Sequence, residues 1–327
     1  MDTFPDPFNS PAHYTRSLAI SSLAAITTAT TDGFPWVRSF NSIVELAVDT
    51  QMWHDGEVSL VQLRGLSPIL KSLRVDRRSI PLSEVFNLTC SFPLLEDLSL
   101  RSSFEPSNYN PISDPRDTPL TSPKLTGTLL LERDSLAVMH RLLDLPGGLR
   151  FSKVVVDCFD SSVGLLVDLV SRCSDTLESL CINFHPSGAF HLLPVVGDNL
   201  PLTVYVGTPG TSPPLDLSKV TKLKRLEFQW HTSIVQWITS TIQTVESPHL
   251  RQITVAMSTS ASFDYPIEEA ICREWQDLDR LLFQLWTSRS ILPKITYVSK
   301  WCADNLGVYE SSLVPELTSR GAVIMVQ

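Results

Sequence analysis

Apolar residues along this chain recur in a short phrase: one apolar position, two variable residues, a second apolar position, one variable residue and a third. The phrase occurs at Ile43/Leu46/Val48, Leu70/Leu73/Val75, Leu95/Leu98/Leu100 and Phe151/Val154/Val156. It returns at Leu177/Leu180/Ile182, Leu223/Leu226/Phe228, Leu250/Ile253/Val255 and Leu292/Ile295/Tyr297. Degenerate copies sit at Thr15/Leu18/Ile20, Leu125/Thr128/Leu130 and Arg320/Val323/Met325. The last two positions are two residues apart, which in a strand puts both side chains on one face. Each copy therefore predicts a short strand. With 43% of residues hydrophobic, the phrase arises by chance about 26 times in a chain of this length, so spacing carries the argument. Starts at 15, 43, 70, 95, 125, 151 and 177 lie 28, 27, 25, 30, 26 and 26 residues apart. Later starts at 223, 250, 292 and 320 follow after 46, 27, 42 and 28.

Other features keep the same phase. Proline stands two residues before the first apolar position at Pro68, Pro93, Pro123 and Pro248, where it stops the preceding helix and sets up an extended lead-in. A charged residue follows that position at Lys71, Glu96, Glu178, Lys224 and Arg251. The intervals predict helices. Ser233 is placed to cap a stripe of Ile234, Trp237, Ile238, Thr241, Ile242 and Val245. Val163, Leu166, Val170 and Cys173 form another stripe. Beyond Pro266, the residues Ile271, Trp275, Leu278, Leu282 and Leu285 predict a helix of about 20 residues, which fills the 42-residue gap without a lost repeat. In the 46-residue gap, Val204 and Val206 mark a decayed strand.

One strand and one helix cannot hide their apolar faces alone, whereas stacked copies share a core. Most gaps match leucine-rich repeats, which run about 20 to 29 residues. The expected fold is α/β: an irregular leucine-rich-repeat solenoid, a curved parallel sheet with helices on its convex side. It is irregular because the position that regular repeats fill with Asn or Cys here holds Gln51, Arg78, Ser103, Phe159, His185, His231 and Ser258. A doubly wound sheet is the alternative. The expected organisation is a proline-rich leader over 1–14 and a single solenoid over 15–327. Loop insertions of low order are expected near 104–123 and 186–216, the second carrying Pro213-Pro214.

Composition then narrows the function. Leucine accounts for 46 of 327 residues, and the net charge of −9 excludes a generic nucleic-acid binder, whose surface is strongly basic. Six cysteines (Cys90, Cys158, Cys173, Cys181, Cys272, Cys302) are scattered without a CxxC, the pattern of buried thiols in a reducing compartment. No apolar run approaches the roughly 18 residues that cross a bilayer, and the acidic, proline-rich leader is unlike a secretory signal. The expectation is a cytoplasmic or nuclear protein with no membrane partner.

Several segments carry a family likeness: LSPILKSLRV (Leu66 to Val75), SEVFNLTCSFPLLEDLSL (Ser83 to Leu100), SPKLTGTL (Ser122 to Leu129), RLLDLPGGLRF (Arg141 to Phe151), LVSRCSDTLESLCI (Leu169 to Ile182) and LSKVTKLKRLEF (Leu217 to Phe228). Together they resemble the leucine-rich-repeat region of fungal, particularly basidiomycete, F-box proteins. The resemblance implies a substrate-recognition subunit of an SCF-type ubiquitin ligase, with components of that ligase as partners. In that family a helical F-box precedes the repeats. Here the first repeat-like strand already lies near Leu18, behind Pro5, Pro7 and Pro11, and no F-box module is detected. The expected entity is the ligand-reading half; a ligase receptor with a missing or degenerate F-box is the alternative.

No GxSxG, HExxH, P-loop or strand-turn-helix GxGxxG is present. The closest histidines, His185 and His191, lack partners at zinc-like spacing. No catalytic, metal or cofactor residue is assigned, and a hydrolase built on loop histidines is the remaining enzymatic alternative. The candidate site is the strand face that points away from the phrase residues. It carries Glu45, Ala47, Asp49; Ser72, Arg74, Asp76; Asp97, Ser99, Arg101; Lys153, Val155, Asp157; Ser179, Cys181, Asn183; Arg225, Glu227, Gln229; Gln252, Thr254, Ala256; and Lys294, Thr296, Val298. Mixed charge with few aromatics suits a polar protein ligand on a concave face. The residues assigned to it are Arg74, Asp76, Asp97, Arg101, Asp157, Arg225 and Glu227. Lys219, Lys222, Lys224 and Arg225 form the densest basic cluster. Trp237 and Trp275 fall on core stripes, while Trp230 and Trp286 are free to anchor a partner.

Overall fold

The computed structural model describes residues 11–20, 40–49, 60–76, 78–80, 82–101, 103–104, 122–132, 136–145, 147–158, 162–184, 213–230, 234–257, 269–297, 314–320 and 324–326. The chain forms two compact units, Met1–Ser152 and Lys153–Gln327. The predicted strands at 204 and the residues 105–121 and 185–212 lie outside the described set.

In the first unit, α1 (Pro11–Tyr14) leads into a parallel row of β1 (Ser17–Ile20), β2 (Glu45–Asp49) and β3 (Ser72–Asp76). Two short strands outside that row, β4 (Arg78–Ile80) and β6 (Ser103–Phe104), pair with each other. β5 (Asp97–Arg101) and β7 (Thr128–Glu132) complete the row, again parallel. A 3-10 helix (Leu60–Gly65), α2 (Leu82–Thr89) and α3 (Leu136–Leu143) occupy the intervals. The second unit runs β8 (Lys153–Cys158), α4 (Val163–Arg172), β9 (Ser179–Phe184), β10 (Arg225–Trp230), α5 (Val235–Gln243) and β11 (Gln252–Met257). It ends with α6 (Glu269–Arg289), β12 (Leu292–Tyr297), α7 (Pro315–Ser319) and β13 (Ile324–Val326). Its strands also pair in parallel, each with the next in the chain. Within each unit the row follows sequence order without the reversal that a doubly wound sheet requires.

Each rung is made the same way, because parallel strands one repeat apart present the same groups to each other. The carbonyl just after the first phrase residue accepts two successive N–H groups from the next rung. Lys71 N and Ser72 N donate to Val44 O (2.8 and 3.0 Å), and Glu96 N and Asp97 N donate to Lys71 O (2.8 and 2.9 Å). Lys224 N and Arg225 N do so to Glu178 O (2.7 and 3.1 Å). The prolines act differently from expectation. Pro68, Pro93 and Pro248 occupy the second position of a turn in which the first phrase leucine donates back three residues, from Leu70 to Ser67, Leu95 to Phe92 and Leu250 to Ser247. Proline suits that position through its fixed φ, so these residues fold a corner onto the leucine instead of extending the chain.

Serine takes over where the asparagine ladder is missing. Ser67 Oγ donates to Asn41 O (2.7 Å), one rung back. The matching Ser247 Oγ lies 2.8 Å from Thr221 O and 2.9 Å from Leu223 O. Both serines are 1% exposed. A buried hydroxyl is tolerated here because it satisfies carbonyls that the parallel ladder leaves over.

Three copies of the phrase are offset from the sequence expectation. In β7 the buried pair is Leu129 and Leu131, not Thr128 and Leu130, because one extra residue follows Leu125. Leu125 has a positive φ of 39°, and Gly127 passes so close to Asp97 that a Cβ there would overlap its carboxylate. In β12, Pro293 and Ile295 pair with Ile253 and Val255 and are buried, so the register is two residues away from the expected Leu292/Ile295/Tyr297. Leu292 itself is 53% exposed. Ser290, just before β12, also has a positive φ, 56°. In β13 the partners of Ile295 and Tyr297 are Ile324 and Val326, one residue from the expected Val323 and Met325. The other eight copies hold their register.

The helical stripes fall where expected. Val163, Leu166, Val170 and Cys173 are buried, as are Ile234, Trp237, Ile238, Thr241, Ile242 and Val245. The predicted Ser233 cap is replaced by Ile234 at that position with no side-chain cap; Ser233 lies outside the described residues. The 21-residue α6 matches the predicted helix, with Trp275, Leu278 and Leu282 buried. β9 and β10 pair directly, with no strand between them in the sheet; Val204 and Val206 lie outside the described residues. The end of the second predicted loop is packed, not loose. Leu215 and Leu217 are fully buried, and their N–H groups donate to Thr241 Oγ1 (3.1 Å) and Thr244 Oγ1 (2.9 Å) of the α5 segment. Trp237 binds Pro213 O through Nε1 (3.0 Å) and packs edge-on against Phe184 and Phe228, fixing α5 over the inward face of β9 and β10.

A buried acid was not foreseen. Asp279 on α6 is 1% exposed and accepts from Glu316 N (2.8 Å) and Leu317 N (3.1 Å), the free N–H groups of α7. Burial raises its pKa above the ordinary 3.8, against the lowering by those two bonds.

Two outcomes follow from these packing features. Ser247→Ala leaves the buried Leu223 carbonyl without its hydroxyl donor and lowers stability by about 1–3 kcal/mol, read as a lower urea midpoint at constant slope. For Asp279 the folded chain holds the proton to higher pH than the unfolded chain. Its contribution therefore falls as pH rises from 3.8 through the raised folded value and is level above it. Asp279→Asn removes that fall, so the stability difference between the two proteins changes across this window and is constant at neutral pH, as urea melts from pH 3.5 to 8 will show.

Candidate functional site

On each unit the alternation of a strand leaves one face to the core and one to solvent. In the first unit the outward row reads Glu45, Ser72 and Asp97 in register, followed by Ala47, Arg74 and Ser99. Farther along, Asp49 faces Asp76, and Arg101 faces Glu132. Arg74 is 49% exposed and reaches Asp76 Oδ2 at 3.6 Å along its own strand. Arg101 Nη2 is 3.1 Å from Glu132 Oε1 on the neighbouring strand. Asp97 is committed to structure: its Oδ1 accepts from Thr128 N at 2.6 Å and holds the offset β7. Glu132 escaped the sequence reading, since the phrase set one residue early assigns no outward role to it.

In the second unit three outward rows cross the strands. The first is Lys153, Ser179, Arg225, Gln252 and Leu292; the second is Val155, Cys181, Glu227, Thr254 and Lys294; the third begins Asp157, Asn183, Gln229 and Ala256. Outward does not mean exposed here. Cys181, Asp157, Thr254 and Ala256 are all buried at 8% or less. Asp157 accepts from Asn183 Nδ2 (3.0 Å), and Glu227 accepts from Gln229 Nε2 (2.8 Å). Burial, then the charge of Glu227, pushes the Cys181 thiol up to about 12, with Asp157 adding to the rise and Lys153 opposing it. Cys90 is pushed up to about 11 by burial. Thiols held this far from ionisation are poor nucleophiles at neutral pH.

Of the seven residues assigned from sequence, Arg74, Asp76, Asp97 and Arg101 share the face of the first unit. Asp157, Arg225 and Glu227 share that of the second. Asp97 and Asp157 serve mainly as inter-strand acceptors, and Arg74 and Arg225 are the exposed cations. Charged residues next to phrase leucines form ion pairs between rungs: Lys71 with Glu96 (3.1 Å), Lys124 with Glu96 (3.8 Å) and Lys224 with Glu178 (2.7 Å). The bond from Lys224 holds the Glu178 carboxyl below its usual range.

Trp237 and Trp275 are core residues as expected, and Trp286 is half-buried on α6. The side chain of Trp230, together with His185, His191 and Val298, lies outside the described residues. Among the described residues no helix is long and apolar enough to cross a membrane, and no group of three His, Cys, Asp or Glu is disposed to hold a metal ion. No family model matches the chain, and no curated protein matches it.

The two roles of the outward acids are separable. Asp97→Ala leaves Thr128 N unpaired beside the extra residue of β7 and costs about 1–3 kcal/mol in a urea melt. Asp76→Ala, at a partly exposed pair, changes stability by less than about 1 kcal/mol.

Proposed function

We propose that this protein is a non-enzymatic interaction module of leucine-rich-repeat type. Its outward strand faces read a polar protein ligand, as the ligand-reading half of an F-box-like protein. One observation carries the reading: strand after strand buries its phrase residues while the alternate positions present charges of both signs to solvent. Sequential parallel order within each unit, and a repeated rung chemistry one repeat apart, support the leucine-rich-repeat type. Mixed charge suits selection among partners, because a mismatched charge costs more than a matched one contributes. The buried, weakly acidic thiols of Cys90 and Cys181 favour binding over covalent chemistry at those positions.

The test is affinity capture from the native host with the intact chain as bait. Arg74→Glu combined with Arg225→Glu weakens partner retention roughly tenfold while the thermal midpoint stays within about 2 °C, since both side chains are exposed. Unchanged retention of every captured partner removes the outward face from the reading.

A further inference from the structure

The first outward row of the second unit differs from the two rows beside it, which carry Glu227 and Asp157, in holding no acid. Lys153, Ser179, Arg225, Gln252 and Leu292 stand in register across five strands, and none is acidic. Lys153, Arg225 and Leu292 are exposed. Lys222 and Arg251, also exposed, flank the row at the start of β10 and β11, with His249 beside them. Arg251 sits one rung from Lys224, to whose carbonyl its N–H donates (2.9 Å), and Leu292 N donates in turn to Arg251 O (2.9 Å). Glu178, at this edge, is already taken by Lys224 at 2.7 Å. Among the described residues no carboxylate lies within ion-pair distance of Arg225 or Arg251. In a chain of net charge −9, a row of cations left without acids is the reverse of the average surface.

Leu292 adds a second, independent feature. The offset register of β12 turns it outward, and 53% of it is exposed, two strands and about 10 Å from Arg225. The whole row spans four inter-strand steps, or roughly 19 Å, the length of about six extended residues.

We infer that this row is the docking site for a short, extended acidic protein segment bearing one large apolar side chain. Its carboxylates would lie over Lys153, Arg225, Lys222 and Arg251, and its apolar side chain on Leu292. The inference rests on the interaction-module reading and names the partner class for one face of it. A polypeptide is favoured over a nucleic acid because an apolar contact completes the row and the protein as a whole repels polyphosphates.

The probe is a fluorescein-labelled peptide, Asp-Glu-Asp-Glu-Leu-Phe-Glu-Asp, titrated with the full chain in about 50 mM salt. Three comparators are used: the same peptide with Ser-Ser in place of Leu-Phe, a uridine octanucleotide, and the chain carrying Lys222→Glu with Arg251→Glu. Saturable binding is expected, weakened about tenfold by that double change and several-fold by Leu292→Ser, by the Ser-Ser peptide, or by raising salt to about 500 mM. Lys222→Gln with Arg251→Gln gives a smaller loss and guards against a folding artefact, with circular dichroism as the check. Absent saturable binding, equal affinity of the double variants, or tighter binding of the octanucleotide overturns the inference. If native partners are retained by Lys222→Glu/Arg251→Glu but lost on Arg74→Glu alone, which lies outside the row, the acidic-segment site fails while the interaction module stands.

Discussion

The constraint on which everything else rests is that no rung of this chain closes its own core. Each contributes two or three apolar side chains to one face of a strand, and these become dry only when the strands on either side are in register with it. The backbone enforces that register through the repeated carbonyl that takes two N–H groups from the following rung, as Val44 and Lys71 do in one unit and Glu178 and Lys224 in the other. A slip of one residue would move every side chain to the opposite face. Burial and hydrogen bonding therefore specify the same pairing, and the outward positions are left unconstrained by the core.

That freedom is only partial. Where the chain carries an extra residue, as after Leu125, the ladder loses its regular donor pair: Leu125 N bonds Leu95 O and Gly127 N bonds Glu96 O instead. The carboxylate of Asp97 makes up the difference by accepting from Thr128 N. Asp157 is similarly occupied by Asn183. Acids on the outward face are thus drawn into repairing or bracing the sheet, while the long cationic side chains reach past it into solvent. The split between bracing acids and free cations follows from side-chain length, since a short carboxylate stays near the backbone it bonds.

This physics also separates what could be read in the sequence from what could not. Burial at Leu46/Val48, Leu73/Val75 or Leu226/Phe228 was legible because alternation and spacing agree there. At Leu125 the phrase put Thr128 into the core, and the run TLLLE from 128 to 132 alternates correctly only one residue later; a spacing test tolerant of 25 to 30 residues is blind to a single insertion. Leu292 was misplaced because apolar residues at 292, 295 and 297 match the phrase spacing, whereas Pro293 itself fills the buried site. The prolines at 68, 93 and 248 were recognised as breaks but not as corners, since the turn is defined by a bond that closes three residues away. Asp279 gave no local sign: it follows Leu278 on α6, and its partners at 316 and 317 come together with it only in the fold. The cationic residues of the candidate site were visible individually; their freedom from acids was not, because it depends on which strands become neighbours.

The electrostatics of the two units then differ in kind. On the first, Arg74 and Arg101 already have carboxylates, Asp76 and Glu132, on the same face. A ligand acid approaching either cation competes with an existing partner and gains only the difference between two exposed pairs, each worth less than about 1 kcal/mol. On the second, the comparable competition has been settled one step to the side, where Lys224 engages Glu178. Arg225 and Arg251 remain without a resident acid among the described residues. An incoming carboxylate there displaces only water and counterions, so its full attraction acts on encounter as well as on the bound state. Identical rung architecture can thus yield one face that is nearly self-neutralised and another that is poised for an acidic ligand, with the difference set by where the acids of adjacent rungs fall.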